Sequence, residues 1–240
     1  MTPARRHPRG IDRTALERDE VREAVRRAGR GDVLLSDGEV RASLEATLDV
    51  RPPGQAVWVF AYGSLIWSPM IRFAERRIVR IHGFHRGLCI WSHINRGTPE
   101  TPGIVLGLDR GGSCRGVAYR IDEADIATEL ALLWRREMIV GGYVPTWVQA
   151  LSFHGHVPAI AFVANRAQWT YAGRLDDDRL ESIARAAHGQ YGSCRPYIVE
   201  TATSLERHGI PDRGLNRLAR RLADDAAPRP GIDATAVTVS

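Results

Sequence analysis

The sequence has no lysine: all 33 basic residues are arginines, alongside abundant alanine and glycine, a bias closer to genome composition than to a binding surface. The formal net charge of +5 is therefore not read as affinity for nucleic acid. Outside "RRHPR" the arginines mostly sit beside acids, as in "ALERDEVREAVRR" and "RLDDDRLESIAR". That is the texture of solvated helix faces, and it lacks the clustered basic stripe that phosphate binding requires. Cysteine is scarce. Cys89, Cys114 and Cys194 are odd in number, far apart and without a C-x-x-C pair, which argues against a disulfide framework and a cysteine-based zinc site. No apolar run is long enough to cross a bilayer, and "MTPARRHPRGIDR" has no apolar segment of a secretory signal. A cytoplasmic protein is expected, with neither membrane nor nucleic acid as partner. No G-x-S-x-G elbow occurs, and no cysteine has a histidine neighbour of evident purpose.

The apolar share, 44%, is enough to bury a substantial core. Residues 1–52 are polar, with one helix predicted from Arg13 to Ala28, and close at the stiff "RPPG"; they read as an N-terminal extension. Residues 53–225 form the main domain. Strands are predicted there at Ala56–Tyr62, Arg77–Ile81, Arg86–Trp91, Ile104–Leu108, Cys114–Arg120, Val144–Leu151 and Ala159–Val163, with "DRGGS" at 109–113 as a hairpin turn. From Asp176 onward helices dominate, in "DDRLESIARAAHG", "SLERHGI" and "GLNRLARRLADDA". The tail at 226–240 is expected to be disordered.

One helix interrupts the β-rich region, in "IDEADIATELALLWRREMIVGGY". Asp122 is expected as its N-cap and Asp125 in its first turn, with a stop at Gly141 and Gly142. Its apolar stripe runs from Ile126 through Leu130, Leu133 and Trp134, at offsets of 4, 7 and 8, and the next member, at offset 11, is Glu137. A carboxylate thus occupies a core position. Desolvation there raises its pKa, which makes Glu137 a candidate general base or acid. The alternatives are a helix end fraying into solvent and a structural ion pair with Arg136.

A second break in pattern lies in "VWVFAYGSLIW". Val57, Val59 and Ala61 alternate with Trp58, Phe60 and Tyr62 as a strand buried on both faces, and then Gly63 and Ser64 interrupt the apolar run. Such a corner either ends a strand or brings backbone close to a ligand. In "FHGHV", His154 and His156 fall on one face of a strand; with no third ligand nearby they read as hairpin residues, and no metal is expected.

"VFAYGSLIW", "RGTPETPGIVLGL", "GVAYRI" and "LLWRREMIVGGYVPTW", followed by "GLNRL", resemble in that order the motifs of the ChaC-type gamma-glutamylcyclotransferases, over about residues 56–222. The resemblance implies an α+β fold, a mixed β-barrel with flanking helices, and cleavage of glutathione to 5-oxoproline and Cys-Gly with no cofactor or metal. In that chemistry the substrate's α-amine attacks its own side-chain carbonyl, so the enzyme supplies a folded pose, a proton acceptor and charge stabilisation. Glu137 becomes the general base and acid. Tyr62, Gly63, Ser64, Leu65, Ile66 and Trp67 become a substrate-binding loop whose backbone N–H groups hold the glutamyl carboxylate or the developing oxyanion. Tyr143 is expected near the glutamyl end, or else packed on the preceding helix. Tyr197, in "CRPYIVE", matches a pocket-closing tyrosine of the superfamily, although the family's usual asparagine is missing around it. Arg96, in "NRGTP", either pairs with a substrate carboxylate or lies in a surface loop. Two other functions stay open: a cyclotransferase for another gamma-glutamyl compound, and a non-catalytic regulator of cation transport.

Overall fold

The structure, a computed structural model, describes residues 11–224. Five strands close into a barrel in the order β1 (Trp58–Ala61), β3 (Gly103–Arg120), β2 (Glu75–Ser92), β4 (Tyr143–Ser152) and β5 (Gly155–Ala164). The barrel is mixed: β1 runs antiparallel to β3, with Phe60 opposite Ala118, and parallel to β5, with Val59 opposite Ile160. Enclosure on both sides is why all four β1 residues are buried and why its sequence is apolar throughout. This agrees with the expected α+β mixed barrel with flanking helices.

Two predicted strand pairs are in fact single strands. The segments at 77–81 and 86–91 are joined in β2, those at 104–108 and 114–120 in β3, and the two long strands pair along their whole length. "DRGGS" is therefore not a hairpin turn. Register passes from His82 opposite Ser113 to Phe84 opposite Arg110, so Gly111 and Gly112 face the single Gly83 as a bulge. All three glycines have positive φ, of 95°, 73° and 84°. A glycine pair serves a tight turn or a bulge equally well, and the continuous ladder with β2 selects the bulge.

The N-terminal segment also differs from expectation. Instead of one helix it holds α1 (Arg13–Glu17), α2 (Glu20–Arg27) and α3 (Asp37–Asp49). Asp19, at φ 57°, breaks the predicted helix, which lets Leu16 from α1 and Val21 and Val25 from α2 enter one buried cluster. Helix α3 starts at a capping box in which Ser36 and Glu39 exchange hydrogen bonds, an S-x-x-E signal readable in the sequence.

Helix α4 (Ile126–Glu137) follows a 3₁₀ turn at Glu123–Asp125, so Asp122 precedes that turn rather than capping the α-helix and makes no side-chain capping bond. Leu130, Leu133 and Trp134 are buried as the stripe requires, and Trp134 meets Phe162 of β5 edge-on at 5.1 Å. Helices α5 (Asp177–Ala186), α6 (Cys194–Arg207) and α7 (Arg213–Ala223) complete the structure, with a short hairpin of β6 (His188–Gly189) and β7 (Gly192–Ser193). Helix α6 begins well before "SLERHGI", because Pro196 sits in its first turn, where a missing N–H costs nothing. His154 lies in the β4–β5 hairpin and His156 pairs opposite Leu151, as read. None of the described helices is long and apolar enough to cross a membrane. The tail at 226–240 lies outside the described residues.

Candidate active site

At one end of the barrel, seven stretches of chain surround a cavity of about 190 Å³. Glu137, the last residue of α4, lines it with a side chain only 14% exposed. Burial pushes its carboxyl pKa up, and the Arg136 guanidinium, with Nε 3.1 Å from Oε1, pulls it down by less. Two of the readings offered for this residue thus hold together: a carboxylate on the core side, and an ion pair with Arg136. The frayed helix end is not seen.

Arg136 does more than accompany Glu137. Its Nη2 donates to Ser64 Oγ at 2.6 Å and its Nη1 to the Ser68 carbonyl at 3.0 Å, which ties the corner after β1 to the end of α4. At that corner Gly63 leads into a 3₁₀ turn, Ser64–Ile66, closed by Ile66 N–H on the Gly63 carbonyl at 3.0 Å. The N–H groups of Ser64 and Leu65 make no hydrogen bond to any described residue, as the start of a helical turn dictates. Tyr62, Gly63, Ser64, Leu65 and Trp67 all line the cavity. Ile66 does not; its side chain joins the barrel core and its carbonyl accepts from the Tyr119 hydroxyl at 3.4 Å.

Three tyrosines gather in the same place. The Tyr62 hydroxyl donates to the Phe162 carbonyl at 2.7 Å, and that of Tyr143 to the Leu106 carbonyl at 3.0 Å. Tyr143 therefore opens β4 and reaches across to β3. The Tyr197 hydroxyl accepts from the Leu106 N–H at 3.1 Å, which leaves its own hydrogen free to donate. Burial lifts all three phenols above their ordinary pKa, Tyr197 to about 12, so they act as neutral hydrogen-bonding groups.

Arg96 is no surface residue. It is 5% exposed, its guanidinium lies 5.4 Å from the centre of the Tyr197 ring, and its Nη1 donates to the Tyr191 carbonyl at 2.6 Å. Among the described residues it has no acidic partner. Its loop is held by close backbone packing: a Cβ at Gly97 would fall 2.0 Å from the Gly103 nitrogen. Gly97→Ala is accordingly expected to destabilise the fold by about 1 to 3 kcal/mol, through overpacking, in chemical denaturation. A variant as stable as the wild type would show that the loop yields easily.

Several lining residues were not singled out from sequence. Arg136 is readable from sequence only as an ion-pair partner of Glu137, and its bonds to Ser64 and Ser68 carry no sequence signal. Ile11, Val21, Val25, Arg30 and Val33 come from the N-terminal segment, where the four-residue spacing of Val21 and Val25 marks an apolar helix face but not what that face meets; His93, Trp169 and Tyr191 come from connections.

The ChaC-like protein family model matches residues 57–224. The glutathione-specific gamma-glutamylcyclotransferase of Escherichia coli (strain K12) is 39% identical over 207 residues, which cover 82% of this chain and 90% of that protein. Human glutathione-specific gamma-glutamylcyclotransferase 1 is 28% identical, over 65% of this chain and 72% of its own. A crystal structure of a yeast gamma-glutamyl cyclotransferase specific to glutathione superposes with a TM-score of 0.65 at 21% identity, covering 71% of this chain and 96% of that one, which identifies the fold. A match that runs from the buried first strand to the end of the last helix makes this chain a member of the ChaC-like family.

Proposed function

We propose that the protein is a cytoplasmic gamma-glutamylcyclotransferase that cleaves glutathione to 5-oxoproline and Cys-Gly. The observation that carries this reading is a buried carboxylate of raised pKa, Glu137, in one cavity with Ser64 and Leu65 N–H groups and a buried arginine, Arg96, that among the described residues have no backbone acceptor and no acidic partner respectively. Glutathione folded in that cavity would bring its α-amine to its own side-chain carbonyl, and fixing such a pose is worth up to about 7 to 11 kcal/mol of barrier. As the new C–N bond forms, Glu137 takes a proton from the amine. As the bond to cysteine breaks, the carboxyl returns that proton to the departing nitrogen, so both half-steps use one residue. Arg96 would hold the glutamyl carboxylate. The Ser64 and Leu65 N–H groups would then stabilise the developing oxyanion, with the Tyr143 and Tyr197 phenols as neutral partners.

The relatives named above are glutathione-specific, which favours glutathione over other gamma-glutamyl compounds. Purified protein incubated separately with glutathione, gamma-Glu-Ala and gamma-glutamyl-lysine, with 5-oxoproline assayed, tests this. Glutathione is expected to react and the other two to lag far behind. Turnover confined to the dipeptide or the lysine compound would refute the substrate but keep the mechanism; no 5-oxoproline from any of the three would refute the enzyme.

A further inference from the structure

One side of the cavity is built from residues the family match does not reach: Ile11, Val21, Val25, Arg30 and Val33. They are held firmly. Leu16, Val21 and Val25 share a buried cluster with Leu132 and Ile139, and Arg13 grips the buried Glu129 of α4 with two hydrogen bonds, at 2.7 and 3.0 Å. Helix α2 then ends in a Schellman motif. Gly29, at φ 70°, donates its N–H to the Arg26 carbonyl at 2.9 Å, and Arg30 donates its own to the Val25 carbonyl at 3.1 Å. This left-handed exit lays the Arg30 guanidinium over the indole of Trp169, 4.9 Å from the ring centre.

Among the described residues Arg30 forms no ion pair. Trp169 is 44% exposed although it lines the cavity, and His93 packs on the same indole at 4.7 Å between centroids. Burial and the nearby Arg30 charge push the His93 pKa down, so this imidazole is neutral at physiological pH. Along the whole cavity the charged residues are Glu137 and three arginines, 30, 96 and 136. Arg136 is paired with Glu137, and among the described residues neither Arg30 nor Arg96 has an acidic partner. Two unpaired cations thus face a substrate class, gamma-glutamyl peptides, that carries two carboxylates, one on the glutamyl residue and one at the peptide C-terminus.

We infer that Arg30, stacked on Trp169, pairs with the C-terminal carboxylate of the leaving peptide, so that the N-terminal segment reads the end of the substrate that departs. This rests on the cyclotransferase reading and adds a specificity-determining residue to it. The test compares glutathione with its glycine monoethyl ester, which lacks that charge, in the wild type, Arg30→Gln and Arg30→Lys, by steady-state 5-oxoproline formation. The wild type should prefer the acid by about tenfold in kcat/KM, the order expected of one partly exposed charge-assisted contact, with the difference in KM. Arg30→Gln should bring the preference close to unity, and Arg30→Lys should restore part of it. A preference that survives Arg30→Gln, or an absence of preference in the wild type, overturns the inference. Should the wild type form no 5-oxoproline from glutathione, it is the activity that fails, and calorimetric binding of the acid and the ester to the same three proteins still decides the role of Arg30. Thermal unfolding of each variant separates a local effect from misfolding.

Discussion

Glu137→Gln is expected to lower kcat for glutathione by about 100- to 10,000-fold, the usual worth of a positioned general base, with little change in KM. The amide keeps the shape and still accepts a hydrogen bond from Arg136, so the corner at 64–68 stays tied to α4. The acid limb of the wild-type pH profile is a second readout. Only the ionised carboxylate can accept a proton, and burial has raised its pKa above the ordinary 4.5, so kcat/KM should begin to fall at a pH above 4.5. Stability carries the opposite sign. A carboxyl whose folded-state pKa is raised contributes stability that is complete below 4.5 and is lost as pH rises through the raised value. At neutral pH the glutamine variant should therefore be no less stable than the wild type. An inactive variant that is also unfolded would tell nothing against a structural role for Glu137, whereas a folded variant with wild-type turnover would remove it from the mechanism.

Glu129→Ala should have the largest effect on stability, about 3 kcal/mol at neutral pH, near the lower end for breaking a buried ion pair. The Glu129 side chain is fully buried and accepts from Arg13 Nη1 and Nη2, from Arg72 Nε at 2.8 Å and from the Arg72 N–H at 2.9 Å. The lower end applies because Arg13 and Arg72 are 31% and 63% exposed and can return to water. Burial alone would raise the Glu129 pKa; the bonds from Arg13 and Arg72 together outweigh it and hold the group below its ordinary 4.5. The stabilisation is thus present above pH 4.5 and lost as pH falls from there through the lowered value. Urea denaturation at neutral and acid pH should show a gap between wild type and Glu129→Ala that narrows on acidification. Since Arg13 anchors α1, limited proteolysis should also cut the variant faster within residues 11–33. An equal midpoint at neutral pH and an unchanged digestion pattern would mean that the apolar cluster alone holds the segment.

These two glutamates mark the boundary of what a pattern can tell. Both lie on the apolar stripe of α4, Glu129 at offset 3 from Ile126 and Glu137 at offset 11. Periodicity reports that each carboxylate faces the core and says nothing about what meets it there. Glu129 meets two arginines, one from α1 and one from the segment before β2, and becomes a structural anchor. Glu137 meets one neighbour, Arg136, and an open cavity.

The glycine pair at 111 and 112 is similar. Its need for positive φ was legible, but the choice between turn and bulge belonged to the facing strand. The family resemblance places Ile66 in the substrate-binding loop, whereas the 3₁₀ turn rotates it into the core.

Residues 56–164 alone announced a β-rich body, an interrupting helix with a misplaced carboxylate and a backbone corner, because alternation and helical periodicity are local consequences of how side chains leave a backbone. Tertiary structure decided the rest: that Arg96 is buried without an acid, that Arg136 joins corner to helix, and that residues 11–33 form a wall of the cavity. Each of those depends on contacts between positions far apart in the chain, and no periodicity within one segment records which other segment it will touch.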